Sequence, residues 1–150
     1  MNTNITKTWT VTLNEEEIFS RCVNESLYHV TNRMADVPNN EVLIMQDDDR
    51  EMFSVYLSAA AADLRMILAR RMDEDGMTPA IGLTYRLSMH DNHDNNIFPV
   101  LVNHCYEFVV KKILEQWYHT NLGSELEKLE INHCLHYRKK PVRRRMGPMF

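Results

Sequence analysis

Residues 80–89 read Ala-Ile-Gly-Leu-Thr-Tyr-Arg-Leu-Ser-Met. Ile81, Leu83, Tyr85, Leu87 and Met89 fall on one face, and Ala80, Gly82, Thr84, Arg86 and Ser88 on the other. Strict alternation marks a strand with one covered face. No hairpin partner lies nearby in the chain. The other alternating stretch is residues 8–13, Thr-Trp-Thr-Val-Thr-Leu, where Trp9, Val11 and Leu13 alternate with threonines. The two strands are expected to pair across the chain between them. A two-stranded sheet is marginal in water, so it needs helices against it or strands from neighbouring subunits.

Outside these strands the apolar spacing is helical. Asn14 followed by Glu17 is a capping signature, and Phe19, Val23, Leu27, Val30 and Met34 follow as the apolar positions of a first helix, with Ile18 and Cys22 beside them. Residues 37–40, Val-Pro-Asn-Asn, end it. Asp47, Asp48 and Asp49 with Glu51 open a second helix, where acids complement the dipole and Asp48 with Glu51 repeats the capping spacing. Its periodic positions are Phe53, Leu57, Ala60, Leu64, Ile67 and Arg71, and Ala59 to Ala62 are small enough for close helix contact. Residues 73–76, Asp-Glu-Asp-Gly, stop it.

After the strand comes a polar loop, His90 to Asn96, and then a third helix from about Phe98, with Pro99 suited to its first turn. Its expected apolar side is Val100, Leu101, His104, Cys105, Phe108, Val109, Leu114 and Trp117. Asn121, Leu122 and Gly123 break it. Ser124 with Glu127 predicts a capping box for a shorter fourth helix through Leu126, Leu129, Cys134 and Leu135. The expected class is therefore α+β, mainly α: about four helices with a small two-stranded element, in the order β-α-α-β-α-α, followed by an extended basic arm.

The chain has 150 residues, 44% hydrophobic and 25% charged, with only four glycines and five prolines. That is one globular domain, and global disorder is excluded by the amount of apolar surface. Uninterrupted apolar runs are shorter than the ~20 residues of a membrane span, and the N-terminus has no signal-peptide pattern. Cys22, Cys105 and Cys134 are too few and too scattered for a disulfide framework, which points to a reducing cytosol.

Net charge is −4, but it is unevenly spread. Residues 138–145 hold six of the 17 Lys and Arg and no acid, leaving 11 cations against all 21 acids in residues 1–137, a net −10. The division is a single body, residues 1–137, and an arm, residues 138–150. Arg138, Lys139, Lys140, Arg143, Arg144 and Arg145 are its charge, and Met149 and Phe150 are apolar anchors at its end. Such a run binds phosphate backbones non-specifically, resembles a nuclear-localisation signal, or docks on an acidic protein surface; the apolar finish favours a protein groove.

Motifs for chemistry are missing. There is no phosphate-cradling glycine loop, no Gly-x-Ser-x-Gly elbow and no Cys-x-x-Cys. Histidine is the one temptation: His90, Asp91, His93 and Asp94 share a loop, and His104-Cys105 and His133-Cys134, with His136, lie on helices. Imidazole and thiolate suit zinc, but the spacing matches no established finger. The acids cluster at helix ends, where their roles are structural. The expectation is no catalytic centre, no metal and no cofactor.

Taken together, the strand running into a capped helix (Trp9 to Met34), Asp47-Asp48-Asp49-Arg50-Glu51-Met52-Phe53, the later Trp117-Tyr118 and the closing Tyr137 to Arg145 resemble small structural proteins of tailed bacteriophages. The likeness is to head–tail connector and neck or tail ring proteins of crAss-like and related gut phages. It implies a homo-oligomeric ring, commonly about twelve-fold, made in the host cytoplasm and built into the virion between portal and tail. Its partners would be the portal and adjoining neck or tail proteins, with DNA passing through the channel without specific binding, and no membrane. The competing reading is a small nucleic-acid-binding or regulatory module whose arm is the binding segment.

Overall fold

The computed structural model describes residues 6–72 and 83–136. The stop expected at residues 73–76, the start of the expected second strand and the arm at 138–150 lie outside the described residues. The described elements run β1 (Thr6–Thr12), α1 (Glu15–Arg33), α2 (Arg50–Leu68), β2 (Thr84–His90), α3 (Ile97–Tyr118) and α4 (Ser124–Leu135), with short 3-10 turns at Asn40–Leu43, Asp47–Asp49 and Ala69–Arg71. This is the mainly helical α+β class in the expected order.

β1 and β2 pair antiparallel, from Thr6 opposite His90 to Thr12 opposite Thr84. The register puts Trp9 opposite Leu87 and Val11 opposite Tyr85. Alternation then sends Trp9, Val11, Tyr85, Leu87 and Met89 inward and leaves the threonines of β1 outside. Met72, just past α2, makes an isolated bridge to Leu87. The covered face joins one core with Phe53, Leu57, Ala60 and Leu64 of α2 and Leu101, Cys105 and Phe108 of α3. Helices supply the cover that two strands cannot provide for themselves.

The expected caps are only partly realised. Asn14 caps α1 by accepting the Glu17 N–H at 3.0 Å. Glu17 does not reach back; it pairs with Arg21, and the Asn14 N–H donates to Tyr106 Oη of α3 at 2.8 Å. At α2 the reciprocal acid is Asp49, whose carboxylate accepts the Gln46 N–H at 2.9 Å, rather than Asp48 or Glu51. At α4 the Ser124 and Glu127 box does not form. Glu115 of α3 caps the helix instead, accepting from the Leu122 N–H at 2.8 Å, the Ser124 N–H at 3.2 Å and Ser124 Oγ at 2.7 Å. His119 and Gly123, both at positive φ, turn the chain so that α4 folds back on α3. A carboxylate that satisfies several orphan N–H groups at a helix start also complements the dipole.

Three expected inner faces are shifted. In α1, Leu27 and Met34 are not in the core, and Ser26 is fully buried instead. Ser26 Oγ donates to the Val23 carbonyl and accepts the buried Met45 N–H, each at 2.9 Å. A loop must cross this part of α1, and its buried N–H needs an acceptor. In α4 the inner residues are Ser124, Ile131, Cys134 and Leu135, while Leu126 and Leu129 face outward. In α3, Val100 is exposed and His104 and Trp117 are half-buried, with Val110 and Ile113 in the core.

Ser26→Ala should leave the Met45 N–H buried without an acceptor and lower unfolding free energy by about 1–3 kcal/mol. Leu27→Ala, one residue away on the outside, should change it by no more than about 0.5 kcal/mol. Urea denaturation followed by circular dichroism measures both.

Candidate functional site

The loop 90–96 spreads its side chains rather than gathering them. His93 turns inward and is fully buried. Its ring stands edge-on to Trp9 at 4.9 Å between centroids. Its Nε2 lies 3.0 Å from the Cys134 carbonyl of α4; a carbonyl only accepts, so Nε2 carries the proton. Burial pushes the imidazole below its ordinary value of 6.5, and the bond to the Cys134 carbonyl opposes this only in part. His90 accepts the Asn92 N–H on Nδ1, and Asp94 accepts the Asn96 N–H at the start of α3. Of the four histidines and acids of this loop, His90 and Asp94 serve separate turns, His93 packs inward and Asp91 is exposed.

The two His-Cys pairs also separate. Neighbours on a helix point about 100° apart, so Cys105 and Cys134 face the core while His104 meets Glu127 and His133 is exposed. Burial pushes the Cys22 thiol up to about 12 and raises Cys105 as well. A thiol that stays protonated is neither ligand nor nucleophile. Among the described residues no three His, Cys, Asp or Glu side chains come together as a metal set.

Glu127 is the centre of a polar link between α3 and α4. It lies 2.7 Å from His104 Nδ1 and 3.0 Å from Lys111 Nζ, with its side chain only 13% exposed. Burial works to raise this carboxyl, but the bonds from His104 and Lys111 hold it below its ordinary value. Glu115 behaves the same way: burial opposes ionisation, and the bonds from Ser124 and Leu122 prevail. Both are therefore ionised acceptors at neutral pH. Sequence reading assigned neither role, because each depends on a donor from a different element.

Between α1 and α3 runs a groove of about 270 Å³, with Tyr28, His29 and Arg33 on one wall and Glu107, Lys111 and Tyr118 on the other. The His29 and Tyr118 rings lie 4.6 Å apart. Tyr118 Oη donates to the Ser26 carbonyl at 3.3 Å, and burial raises its hydroxyl to about 12. The rim carries both signs of charge. Tyr118 is tied to the Ser26 carbonyl and Lys111 to Glu127.

The fold also leaves apolar side chains outside. On α2, Met52, Val55 and Met66 are 45%, 59% and 76% exposed, and Ala59, Ala62 and Ala69 are exposed between and after them. Leu126 and Leu129 of α4 and Leu27 and Tyr28 of α1 are outside as well. Across Asp47–Arg71 one 18-residue window reaches a mean hydropathy of 1.4, enough by length and composition for a membrane span, yet only 28% of it is buried. The same helix packs Phe53, Leu57, Ala60, Leu64 and Leu68 into the core. It is apolar on both sides and covered on one. The arm residues Arg138, Lys139, Lys140, Arg143, Arg144, Arg145, Met149 and Phe150 lie outside the described residues, so the fold places none of them.

His93 gives the body an acid-sensitive joint. Its folded value is below 6.5, so between the two values the unfolded chain binds the extra proton. Stability is then full above about pH 6.5 and falls as the pH drops below it. His93→Gln should flatten that part of the profile, leaving losses at lower pH where Glu115 and Glu127 protonate. Urea midpoints from pH 8 to pH 4 measure this.

Compared with family models, with curated proteins and with solved structures, the chain matches none.

Proposed function

We propose that the chain is a structural subunit of a tailed-phage virion, part of a neck ring that joins portal to tail and leaves a channel for DNA. The observation that carries this reading is how the fold spends its side chains. Among the described residues the perturbed ionisable groups are held in packing, capping or ion-pair contacts: His93, Tyr85, Tyr118, Cys22 and Cys105 in packing, Glu115 in a cap, Glu127 and the exposed Glu16 with Arg50 in ion pairs. Perturbed groups gathered at a cleft would point to chemistry; these are spread through the core and the helix joints. Apolar side chains are left on the exterior of α1, α2 and α4. A molecule so built works through its surfaces.

Charge supports a ring in particular. A body of net −10 and an arm with six cations are complementary parts of one chain. A contact between different patches of identical subunits is heterologous, and it closes into a ring when the rotation allows. Each exposed pair is worth only about 0–1 kcal/mol, but six cations and two apolar anchors repeat at every joint. An electronegative lumen would also keep passing DNA from sticking.

The second reading, a nucleic-acid-binding module, rests on the density of the arm: six cations in eight residues. Native mass measurement of the full chain and of a chain lacking residues 138–150 separates the two. A discrete multimer of about a dozen copies, lost on truncation while the truncated body stays folded, is the expected result. A chain that stays monomeric, and binds DNA with a salt dependence that truncation abolishes, would replace the ring with the module.

A further inference from the structure

The outer residues of α2, with Ala69 of the 3-10 turn that continues it, follow a rule. Met52, Val55, Ala59, Ala62, Met66 and Ala69 are separated by three, four, three, four and three positions, and all are exposed. That is the a/d seam of a coiled coil. It runs on the side of the helix roughly opposite the core residues Phe53, Leu57, Ala60, Leu64 and Leu68. A helix with one apolar stripe needs one partner; α2 has two stripes, and its own fold covers only one.

The seam also reads the same in both directions. Its spacing is symmetric about the point between Ala60 and Ala61. If a second α2 lies antiparallel across it, Met52 meets Ala69 of the second copy, Val55 meets Met66, and Ala59 meets Ala62. Large faces small at the ends, and small faces small in the middle, where the two backbones come closest. In a parallel pair Met52, Val55 and Met66 would each face themselves, and the ends would be overfilled.

Charge selects the same direction. Asp47, Asp48 and Glu51 are exposed at the start of the helix, and Arg65 and Arg70 stand near its end. An antiparallel pair lays the acidic end of each helix beside the basic end of the other and opposes the two dipoles. A parallel pair would stack acid on acid.

We propose that α2 is a self-recognition surface: two copies of this chain pair through an antiparallel α2–α2 seam on a two-fold axis. The contact goes beyond the ring reading and does not rest on it, because it is isologous whereas ring joints are heterologous. The seam covers 18 positions, about 27 Å of helix. One helix pair of that length is a small interface, so the dimer is weak and concentration-dependent.

The full chain is tested by sedimentation equilibrium up to about 0.5 mM, alongside Ala62→Arg, which puts a charge at the closest approach on a face that the fold leaves outside. The smallest wild-type species should shift from one copy to two with concentration, beneath any larger multimer, and Ala62→Arg should show no two-copy species, with an unchanged thermal melt. Direction is read from Val55→Cys and Met66→Cys chains oxidised alone and mixed. Mixing should give the Val55→Cys to Met66→Cys cross-link in excess over either self-link. Several results would overturn the proposal: wild type monomeric throughout, an Ala62→Arg mass that matches wild type, or self-links that dominate. A dimer that appears only when residues 138–150 are removed would assign the seam to the chain's own arm. Flotation with neutral vesicles, abolished by Ala62→Arg, would assign it to a lipid surface. Loss of a dozen-fold multimer on truncation, with the Ala62→Arg effect absent, would leave the ring standing and remove only the seam.

Discussion

Pairing of β1 with β2 is the constraint on which the other elements depend. It ties the start of the described chain to a segment beyond its middle, at the entropic cost of closing everything between. Two strands cannot repay that cost by their own hydrogen bonds. Repayment comes from the face they create together: Trp9, Val11, Tyr85, Leu87 and Met89, presented in register to α2 and α3. His93 sits where this face meets α4, packed on Trp9 and bonded to the Cys134 carbonyl. It thereby ties the strand pair to the last helix.

The strands were legible because alternation has a period of two and permits only one assignment of faces. The inner face of α2 was legible for a similar reason, since its large residues recur at helical spacing. The inner faces of α1 and α4 were not. Leu27, Leu126 and Leu129 are apolar and regularly spaced, yet Ser26 and Ser124 are buried in their place. A buried hydroxyl depends on a partner that periodicity cannot reveal. Ser26 is fixed by the Met45 N–H of a following loop, and Ser124 by Glu115 of the preceding helix. The same reason explains the unformed box at α4. Its signature was present in Ser124 and Glu127, but Glu115 took the serine, and His104 and Lys111 took the acid.

Sequence marked histidines, with acids and cysteines beside them, as the residues to watch, and among the described residues the fold gathers no three of them into a ligand set. Residue types suited to a ligand set carry no information on direction, and adjacent helix positions diverge by about 100°. The more informative signal was the run Ala59 to Ala62. It promised close helix contact, and half of it is used within the molecule: Ala60 is buried, while Ala59 and Ala62 are exposed. A small-residue stretch placed between two stripes serves both at once.

A two-fold seam and a head-to-tail ring impose different demands on one chain. If both were satisfied together, a ring would pair back to back with a second ring, and the assembly would show the same face at both ends. A connector between portal and tail meets a different neighbour on each side. The paired α2 would therefore have to open, or pass its seam to another helix, before the ring could take its place. Cohesion along a short helix pair would be small enough for such an exchange, and in the proposed ring the cations and apolar anchors repeated at every joint would supply the larger total. On the proposed reading the weaker contact would shield an apolar stripe while subunits are free, and the repeated contact would decide the final assembly.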